Sequence, residues 1–299
     1  MNIQPPYLKK GDKIAIVCPA KKLPKSIDGA IEILKSWGLE VVVGQTVTAE
    51  YHQFAGSDAL RTKDLQGFLD DPDIKAIIAG RGGYGTIRII DELDFLGFEA
   101  APKWLIGFSD ITVLLAHTLA TLHTKSIHAQ MPYTFEESTP AALDSLKGVL
   151  FGEKVGYRYT SNLANRVGHV EGVLVGGNLT LLLAVEGSVS EMDFTDNILF
   201  IEDVGEHEYS IDRMMRILKR KGKLNKLKGL IVGAFNELGE ENIPFGQTPE
   251  ELILDLVKEF DYPVCFNFPT GHIEDNRAMV LGAKVSLNIH KFEVEFNYI

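Results

Sequence analysis

The sequence has 299 residues, of which 45% are hydrophobic and 24% are charged. These values are typical of a globular protein with one large domain or two of ordinary size. The formal net charge of −11 disfavours nucleic acids and anionic membranes as partners, because an acidic surface repels both. The two cysteines, Cys18 and Cys265, lie far apart in the sequence. They exclude a disulfide framework and agree with a reducing compartment.

The N-terminus and the hydropathy pattern bear on the protein's location. The first ten residues contain no basic region followed by an apolar run, so no signal peptide is predicted. No uncharged apolar run reaches the ~18 residues that a membrane span requires. We therefore expect a cytoplasmic protein that does not bind membranes.

The first half of the chain alternates between two patterns. Short apolar runs predict strands, and apolar residues at helical spacing predict the helices between them. The predicted strands are Ile14–Cys18, Val41–Val43, Ala76–Ala79 and Trp104–Phe108, and the predicted helices follow Ser26 or cover Asp58–Leu69 and Ile111–Leu122. This order predicts a parallel, flavodoxin-like sheet with helices on both faces. Ligands of such sheets bind beyond the carboxyl ends of the strands.

The polar segment Leu143–Arg166 shows no clear period, and we place a domain boundary within it. The predicted domains are residues 1–150 and residues 151–299. The second domain is predicted to be a smaller α/β unit with mixed strands. Its predicted elements are strands Ile198–Ile201, Gly229–Phe235 and Pro263–Phe268, helix Tyr209–Arg220, a helix beginning with a capping box at Thr248, and a terminal hairpin over residues 285–296.

Ser109 lies where the strand ending in Gly107-Phe108 meets a predicted helix. A serine at such a turn exposes its hydroxyl, and the helix N-terminus directs free N–H groups at the same place. Those groups can stabilise the oxyanion that forms when a carbonyl is attacked. The glycine expected two residues after such a serine is absent, since Ile111 occupies that position. The alternative is that Ser109 only caps the helix, as serine commonly does.

A glycine-rich loop, Gly80-Arg81-Gly82-Gly83-Tyr84-Gly85, follows the third predicted strand. Its glycines allow a positive φ or a close approach of the backbone to a ligand. The spacing also fits a dinucleotide motif, but that motif needs an acidic residue about 20 residues later, at the end of the next strand. The next strand ends at Ser109 instead. A plain tight turn and a binding loop both remain compatible with this pattern.

Glu202 and His272 also follow apolar strand patterns. A carboxylate at the end of a strand either begins an ordinary loop or orients a histidine and stabilises its charged form. His272 follows Pro269-Thr270-Gly271, on a loop that the glycine frees from steric constraint.

Two other patterns suggest ligands and are better explained by solvent exposure. His207 lies between Glu206 and Glu208 but lacks a second histidine at helical spacing, so an acidic loop is favoured over a metal site. The basic segment from Arg213 to Lys228 contains no interleaved aromatic residues, which argues against a nucleic-acid site. We predict neither a metal nor an organic cofactor.

Taken together, several short motifs resemble those of the LD-carboxypeptidase family of serine peptidases. They occur in the family's order along nearly the whole chain. The matching stretches are Phe54-Ala55-Gly56, Arg81–Gly85, Gly107–Asp110, Gly176–Leu179, Glu202-Asp203, Glu206, Asp212–Met214 and Gly271-His272. The ordered set favours Ser109 as a nucleophile over Ser109 as a cap.

The resemblance implies a Ser109–Glu202–His272 triad, with the serine on the first domain and the other two residues on the second. It also implies a homodimer and, as substrate, a small murein tetrapeptide cut between the L-centre of a diamino acid and the terminal D-alanine. The backbone N–H groups of Asp110 and Gly83 are the expected oxyanion hole. Arg81 is a candidate for binding a substrate carboxylate, or else a structural arginine that ties down its loop.

The chain departs from the family pattern at two places. Pro19-Ala20 replaces Pro-Ser, and His128-Ala129-Gln130-Met131 replaces His-Gly-Pro-Met. Both leave the expected triad intact and put the exact substrate in doubt. Two alternative functions follow. Microcin C-type immunity hydrolases of the same superfamily cut aminoacyl-nucleotide amides, with an added aromatic loop for which 299 residues leave little room. The second alternative is a non-catalytic protein that binds a ligand in the cleft.

Overall fold

The computed structural model describes residues 2–163, 165–239 and 243–299. The strands of these residues are β1 (Lys13–Val17), β2 (Glu40–Val43), β3 (Ile74–Ala79), β4 (Trp104–Gly107), β5 (Ser126–His128), β6 (Gly156–Thr160), β7 (Gly168–Asn178), β8 (Ile198–Val204), β9 (Gly229–Asn236), β10 (Val264–Cys265), β11 (Met279–Leu281), β12 (Lys284–Ile289) and β13 (Glu293–Tyr298). The α-helices are α1 (Asp28–Ser36), α2 (Asp58–Asp70), α3 (Leu96–Ala100), α4 (Thr112–Leu122), α5 (Pro140–Phe151), α6 (Leu179–Ala184), α7 (Glu208–Arg220) and α8 (Pro249–Leu256).

The first sheet has the strand order β2-β1-β3-β4-β5-β11. Its first five strands are parallel, and β11 pairs antiparallel with β5. The order 2-1-3-4-5 is that of flavodoxin, so this part of the predicted fold is confirmed. Strands β3 and β4 are almost entirely buried, as expected for a parallel sheet covered on both faces. The strand order reverses between β1 and β3, which is where such sheets bind ligands.

The second sheet has the order β10-β9-β8-β7-β12-β13-β6. Strands β7 to β10 are parallel, whereas β12, β13 and β6 add antiparallel pairs. The predicted mixed α/β unit is therefore confirmed, together with the terminal hairpin. One hydrophobic cluster extends from Leu105 and Ile111 of the first half to Phe200 and Ile231 of the second. This shared core fixes the two sheets against each other beneath the ends of β4 and β8.

Three details of the predicted elements are wrong. The aperiodic segment was predicted to begin at Leu143, but residues 143–151 belong to helix α5, whose first turn is capped by Thr139 and begins with Pro140. The strand predicted over Pro263–Phe268 is only the two residues of β10, and Asn267 has a positive φ of 53° that ends the extended backbone. Strand β11 was not predicted, and it lies in the first sheet although it belongs to the second half of the chain. The boundary near residue 150 stays a prediction.

Candidate active site

Ser109 lies directly after β4, in a short 3₁₀ turn that leads into α4. Its φ of 61° is positive, a conformation that costs a residue with a β-carbon about 1–2 kcal/mol. Its side chain caps neither the 3₁₀ turn nor α4, so the capping interpretation is wrong. A strained, half-buried serine at a strand-to-helix turn is the arrangement of a nucleophile elbow.

The glycine-rich loop lies against this turn. A β-carbon on Gly82 would be 3.1 Å from Cβ of Ser109, so only glycine allows this approach without displacing a neighbour. Gly83 and Gly85 have positive φ values of 109° and 145°. The glycine residues therefore allow the loop to pack closely against the turn that carries Ser109.

The side chain of Asp110 connects the two segments. Its carboxylate accepts hydrogen bonds from the backbone N–H groups of Gly85, at 3.3 Å, and Thr86, at 2.8 Å. Asp110 is buried, so these bonds also compensate for its removal from water. The carboxylate thus has a structural role in fixing the loop beside Ser109, while its backbone N–H belongs to the turn itself.

Glu202 and His272 form a direct pair across the second sheet. Nδ1 of His272 lies 2.8 Å from Oε2 of Glu202. The glutamate is fully buried, and the histidine side chain is 19% exposed. Glu202 lies within β8, which extends to Val204 rather than ending at Ile201. The structure therefore brings together two predicted residues separated by 70 positions in the chain.

The electrostatics of this pair favour a charged histidine. Burial lowers the pKa of His272, but the charge of Glu202 and its hydrogen bond more than offset this, and Asp203 and Glu237 add to the effect. The pKa of His272 therefore lies above its ordinary value of 6.5. Asp203 itself binds Asn178 and Thr180. Burial and then the neighbouring Glu202 raise the pKa of its carboxyl to about 6.

The loop that carries His272 is held by two asparagines. Nδ2 of Asn236 donates a hydrogen bond to the carbonyl oxygen of His272 at 2.7 Å. Oδ1 of Asn276 accepts from the N–H of Gly271 at 2.9 Å and from the hydroxyl of Thr270 at 3.1 Å. The imidazole therefore rests on a backbone that is fixed on both sides.

Ser109 and His272 meet through Phe108. The Phe108 ring, in the residue before the serine, packs on the His272 ring with centroids 4.8 Å apart. Within the described ranges, no hydrogen bond joins the Ser109 hydroxyl to the imidazole. Such bonds are often long in enzymes without substrate and tighten when it binds.

Comparison with known proteins decides the family. A profile of the LD-carboxypeptidase N-terminal domain matches residues 14–129, and one of the C-terminal domain matches residues 171–287. The chain belongs to the LD-carboxypeptidase family. It is 33% identical to a probable murein peptide carboxypeptidase of Bacillus subtilis, with 96% of this chain and 92% of that protein covered.

Two solved structures extend the comparison. The muramoyltetrapeptide carboxypeptidase from Oxalobacter formigenes has a TM-score of 0.86 and 30% identity, with 96% of this chain and 98% of that chain covered. The microcin C7 self-immunity protein MccF has a TM-score of 0.88 at 22% identity, with 97% of each chain covered. That likeness shows the fold alone.

One departure of this chain from the expected motifs has a clear contact. Gln130, which replaces the proline of the expected motif, donates hydrogen bonds to the carbonyl oxygens of Ile273 and Glu274 at 3.0 and 3.1 Å. The hydroxyl of Thr134 donates to Oε1 of Gln130 at 2.7 Å. The substitution therefore ties the first sheet to the loop after His272. The other departure, Ala20, is buried.

The remaining predicted residues have structural contacts. Arg81 donates to the carbonyl oxygen of Lys22 at 2.8 Å and lies over the Tyr133 ring, with 4.9 Å from guanidinium to centroid. These contacts tie down its loop, and Arg81 remains partly exposed. The ring of His207 stacks on Tyr209. Among residues 2–163, 165–239 and 243–299, no three His, Cys, Asp or Glu side chains are grouped as metal ligands, and no helix is long and apolar enough to cross a membrane.

Sequence reasoning missed residues beside the site. Asn236 and Asn276 gave no signal, because an isolated asparagine in a loop has many ordinary roles. His128 was quoted only as the first residue of a motif. It is fully buried, and its ring lies 4.8 Å from that of Phe200 and 5.7 Å from that of Phe108, centroid to centroid.

Proposed function

We propose that this protein is a serine-type LD-carboxypeptidase that hydrolyses murein tetrapeptides, with Ser109, His272 and Glu202 as its catalytic residues. The observation that carries the proposal is the 2.8 Å contact between His272 and Glu202, with the imidazole packed on the residue next to a strained serine. A nucleophile, a base and a group that orients the base are the parts of a hydrolytic triad.

The first half of the reaction forms an acyl-enzyme. Nε2 of His272 takes the proton of Ser109 as the hydroxyl oxygen attacks the amide carbonyl. Glu202 accepts a hydrogen bond from the Nδ1–H of His272 and stabilises the imidazolium that results. The imidazolium then gives its proton to the departing amine of D-alanine.

The oxyanion of the tetrahedral intermediate needs donors that are already in place. The backbone N–H groups of Asp110 and Gly83 are the candidates in this chain, one on the serine turn and one on the glycine-rich loop. Each such donor contributes about 3–4 kcal/mol to the transition state. In the second half of the reaction His272 activates a water molecule, which releases the tripeptide and restores Ser109.

Support for the substrate comes from the family and from one side chain. Relatives that cover most of the chain are named murein peptide and muramoyltetrapeptide carboxypeptidases. Arg81 is partly exposed, and its guanidinium is a planar fork of the kind that suits a substrate carboxylate. A homodimer and a cytoplasmic location accompany this proposal as predictions from the family resemblance and the sequence.

Mass spectrometry tests the proposal. The protein is incubated with purified murein tripeptide, tetrapeptide and pentapeptide, and loss of one D-alanine from the tetrapeptide alone is expected. A fluorophosphonate probe should label the wild type and fail to label Ser109→Ala. A wild type that neither releases D-alanine nor reacts with the probe would contradict the assignment.

The alternative substrate is the aminoacyl-nucleotide amide of the microcin C-type hydrolases. It is tested in the same assay with an aminoacyl sulfamoyl adenosine in place of the peptide. Hydrolysis of that compound without hydrolysis of the tetrapeptide would keep the triad and replace the substrate.

A further inference from the structure

His128 lies at the end of β5, between the Glu202–His272 pair and the core of the first sheet. Its position in the sheet is fixed by pairing with Gly107 of β4 on one side and Met279 of β11 on the other. The ring is fully buried between the rings of Phe108 and Phe200. A histidine placed so deeply and so rigidly needs partners for its two ring nitrogens.

Four buried polar atoms at this place lack a partner of regular hydrogen-bond geometry within the described residues. They are Nδ1 and Nε2 of His128, Oε1 of Glu202 and Nδ2 of Asn276. The charges of Glu202 and His272 act on His128, and the Asn276 amide lies near enough to contact it. Each buried group left unsatisfied costs about 1–3 kcal/mol, so a set of four adjacent ones calls for an arrangement that satisfies them together.

A neutral imidazole supplies that arrangement. One ring nitrogen of neutral histidine is a donor and the other is an acceptor. The oxygen of Glu202 needs a donor, and the amide nitrogen of Asn276 needs an acceptor. A charged imidazolium has two donors and would match only one of the two neighbours.

We propose that His128 is a positioning residue for the Glu202–His272 pair: it donates from one ring nitrogen to Oε1 of Glu202 and accepts from Nδ2 of Asn276 at the other, directly or through one buried water. The inference deepens the proposed function and rests on it. Oε2 of Glu202 binds His272, so a bond to Oε1 would fix the second oxygen and with it the plane of the carboxylate.

The contacts of Asn276 close the network. Its Oδ1 holds Thr270 and Gly271, the two residues before His272. His128 therefore acts on the imidazole along two routes, through the carboxylate of Glu202 and through the turn held by Asn276. The protonation state agrees with this role: burial lowers the pKa of His128 to about 4 against the negative charge of Glu202, and the positive charge of His272 adds to the lowering.

Two substitutions of His128 test the proposal. His128→Phe keeps a planar ring and removes both polar atoms, whereas His128→Gln keeps a donor and an acceptor. For His128→Phe we expect kcat for the tetrapeptide to fall about 10- to 100-fold, as when other outer partners of a functional histidine are removed, with KM little changed. His128→Gln should recover most of that loss. His117→Phe is the control, because His117 is a partly buried histidine of α4 that binds Ser190.

The pH profile separates positioning from a merely structural role. Without a donor on Oε1, Glu202 holds a proton more readily and attracts His272 less. The acid limb of kcat/KM should therefore move to lower pH in His128→Phe, and stay in place in His117→Phe. A folded His128→Phe protein with unchanged kcat and an unchanged acid limb would overturn the proposal. If His128→Phe does not fold, the proposal would be overturned by a His128→Gln protein that is as inactive as Ser109→Ala.

A measurement without substrate keeps this proposal distinct from the proposed function. Nitrogen-15 NMR of the full chain follows the titration of His128 and His272. We expect His128 to stay neutral from pH 5 to 8 and His272 to titrate at lower pH in His128→Phe than in wild type. A His128 that titrates near the ordinary histidine value of about 6.5 would overturn the proposal even if the wild type cleaves the tetrapeptide. Failure of the wild type to cleave any amide would count against the proposed function alone.

Discussion

Gly271 lies against the side chain of Glu202. A β-carbon on Gly271 would be 3.0 Å from both Cβ and Oε2 of the glutamate, and the glycine has a φ of 111°. The hydrogen bond between Glu202 and His272 thus depends on a residue that is adjacent to the histidine in sequence and in contact with the glutamate in space. The glycine of the Gly271-His272 motif is explained by this contact.

Gly271→Ala should abolish most of the activity. The methyl group would displace the carboxylate that binds His272, and the positive φ would add a strain of about 1–3 kcal/mol. We expect labelling of Ser109 by a fluorophosphonate to slow by at least about tenfold, which corresponds to 1.4 kcal/mol in the barrier. The rate of labelling and the thermal midpoint of unfolding are the two measurements.

Gly187→Ala is the matched control for this substitution. Gly187 also has a positive φ, of 81°, but a β-carbon there would meet no atom within 4 Å. It should lose stability through backbone strain and keep its labelling rate. Equal labelling rates in the two alanine variants would show that contact with Glu202 is unimportant.

Glu202→Gln should shift the pH dependence of the reaction. His272 must be neutral to act as a base, so kcat/KM of the wild type should rise as the pH passes a value above 6.5. Without the charge of Glu202, burial dominates and the pKa of His272 falls, so the acid limb moves to lower pH. The rate itself should drop, by up to about 10⁴-fold if the imidazole adopts the wrong tautomer.

The same variant makes a second, independent measurement possible. Because the pKa of His272 is raised in the folded state, the pair stabilises the protein fully below the unfolded value of 6.5 and less as the pH rises through the folded pKa. The loss of unfolding free energy in Glu202→Gln should therefore be larger at pH 6 than at pH 9. A loss that grows with pH would have the wrong sign for this pair.

The fold was largely predictable because its signals are local. The Thr248 capping box is present as expected, and the buried strands β3 and β4 are continuous apolar runs. Helix α5 was missed although Thr139 and Pro140 marked its start. Strand β11 could not be found this way, because three residues have little pattern of their own and pair with a strand about 150 residues earlier in the chain.

The site was predictable only in part. Ser109 and His272 follow strands and Glu202 lies near the carboxyl end of β8, and these positions are visible in the sequence. Which acid faces the histidine is a tertiary property: Glu202 binds His272, whereas the adjacent Asp203 binds Asn178 and Thr180. The four unpartnered polar atoms belong to three residues far apart in the chain, His128, Glu202 and Asn276, so no spacing in the sequence indicates them.

Ser109→Gly should be more stable than Ser109→Ala, although both are inactive. Glycine adopts the φ of 61° without the strain of about 1–2 kcal/mol that a β-carbon brings. About half of this gain in stability is lost, because glycine has greater backbone freedom in the unfolded chain. We expect a difference of about 0.5–1 kcal/mol in chemical unfolding. At Glu32, an exposed position of α1, the order should reverse, with alanine above glycine by about 1 kcal/mol. The same order at both positions would argue against strain at Ser109.

Arg61 and Arg88 contact the same carboxylate, that of Asp58, and should differ sharply in importance. The side chain of Arg61 is 0% exposed, whereas that of Arg88 is 44% exposed. Arg61 also donates to the carbonyl oxygens of Pro19 and Gly85, so its loss leaves two acceptors unpaired. Arg61→Leu should cost about 3 kcal/mol in unfolding free energy, and Arg88→Leu about 1 kcal/mol or less.

The two arginines should differ in activity for the same reason. Gly85 accepts from Arg61 and donates to Asp110, so Arg61 supports the glycine-rich loop at the point where it is tied to the serine turn. Labelling of Ser109 should therefore slow in Arg61→Leu and remain at the wild-type rate in Arg88→Leu. A folded Arg61→Leu protein that is labelled as fast as wild type would mean that Asp110 alone holds the loop beside Ser109.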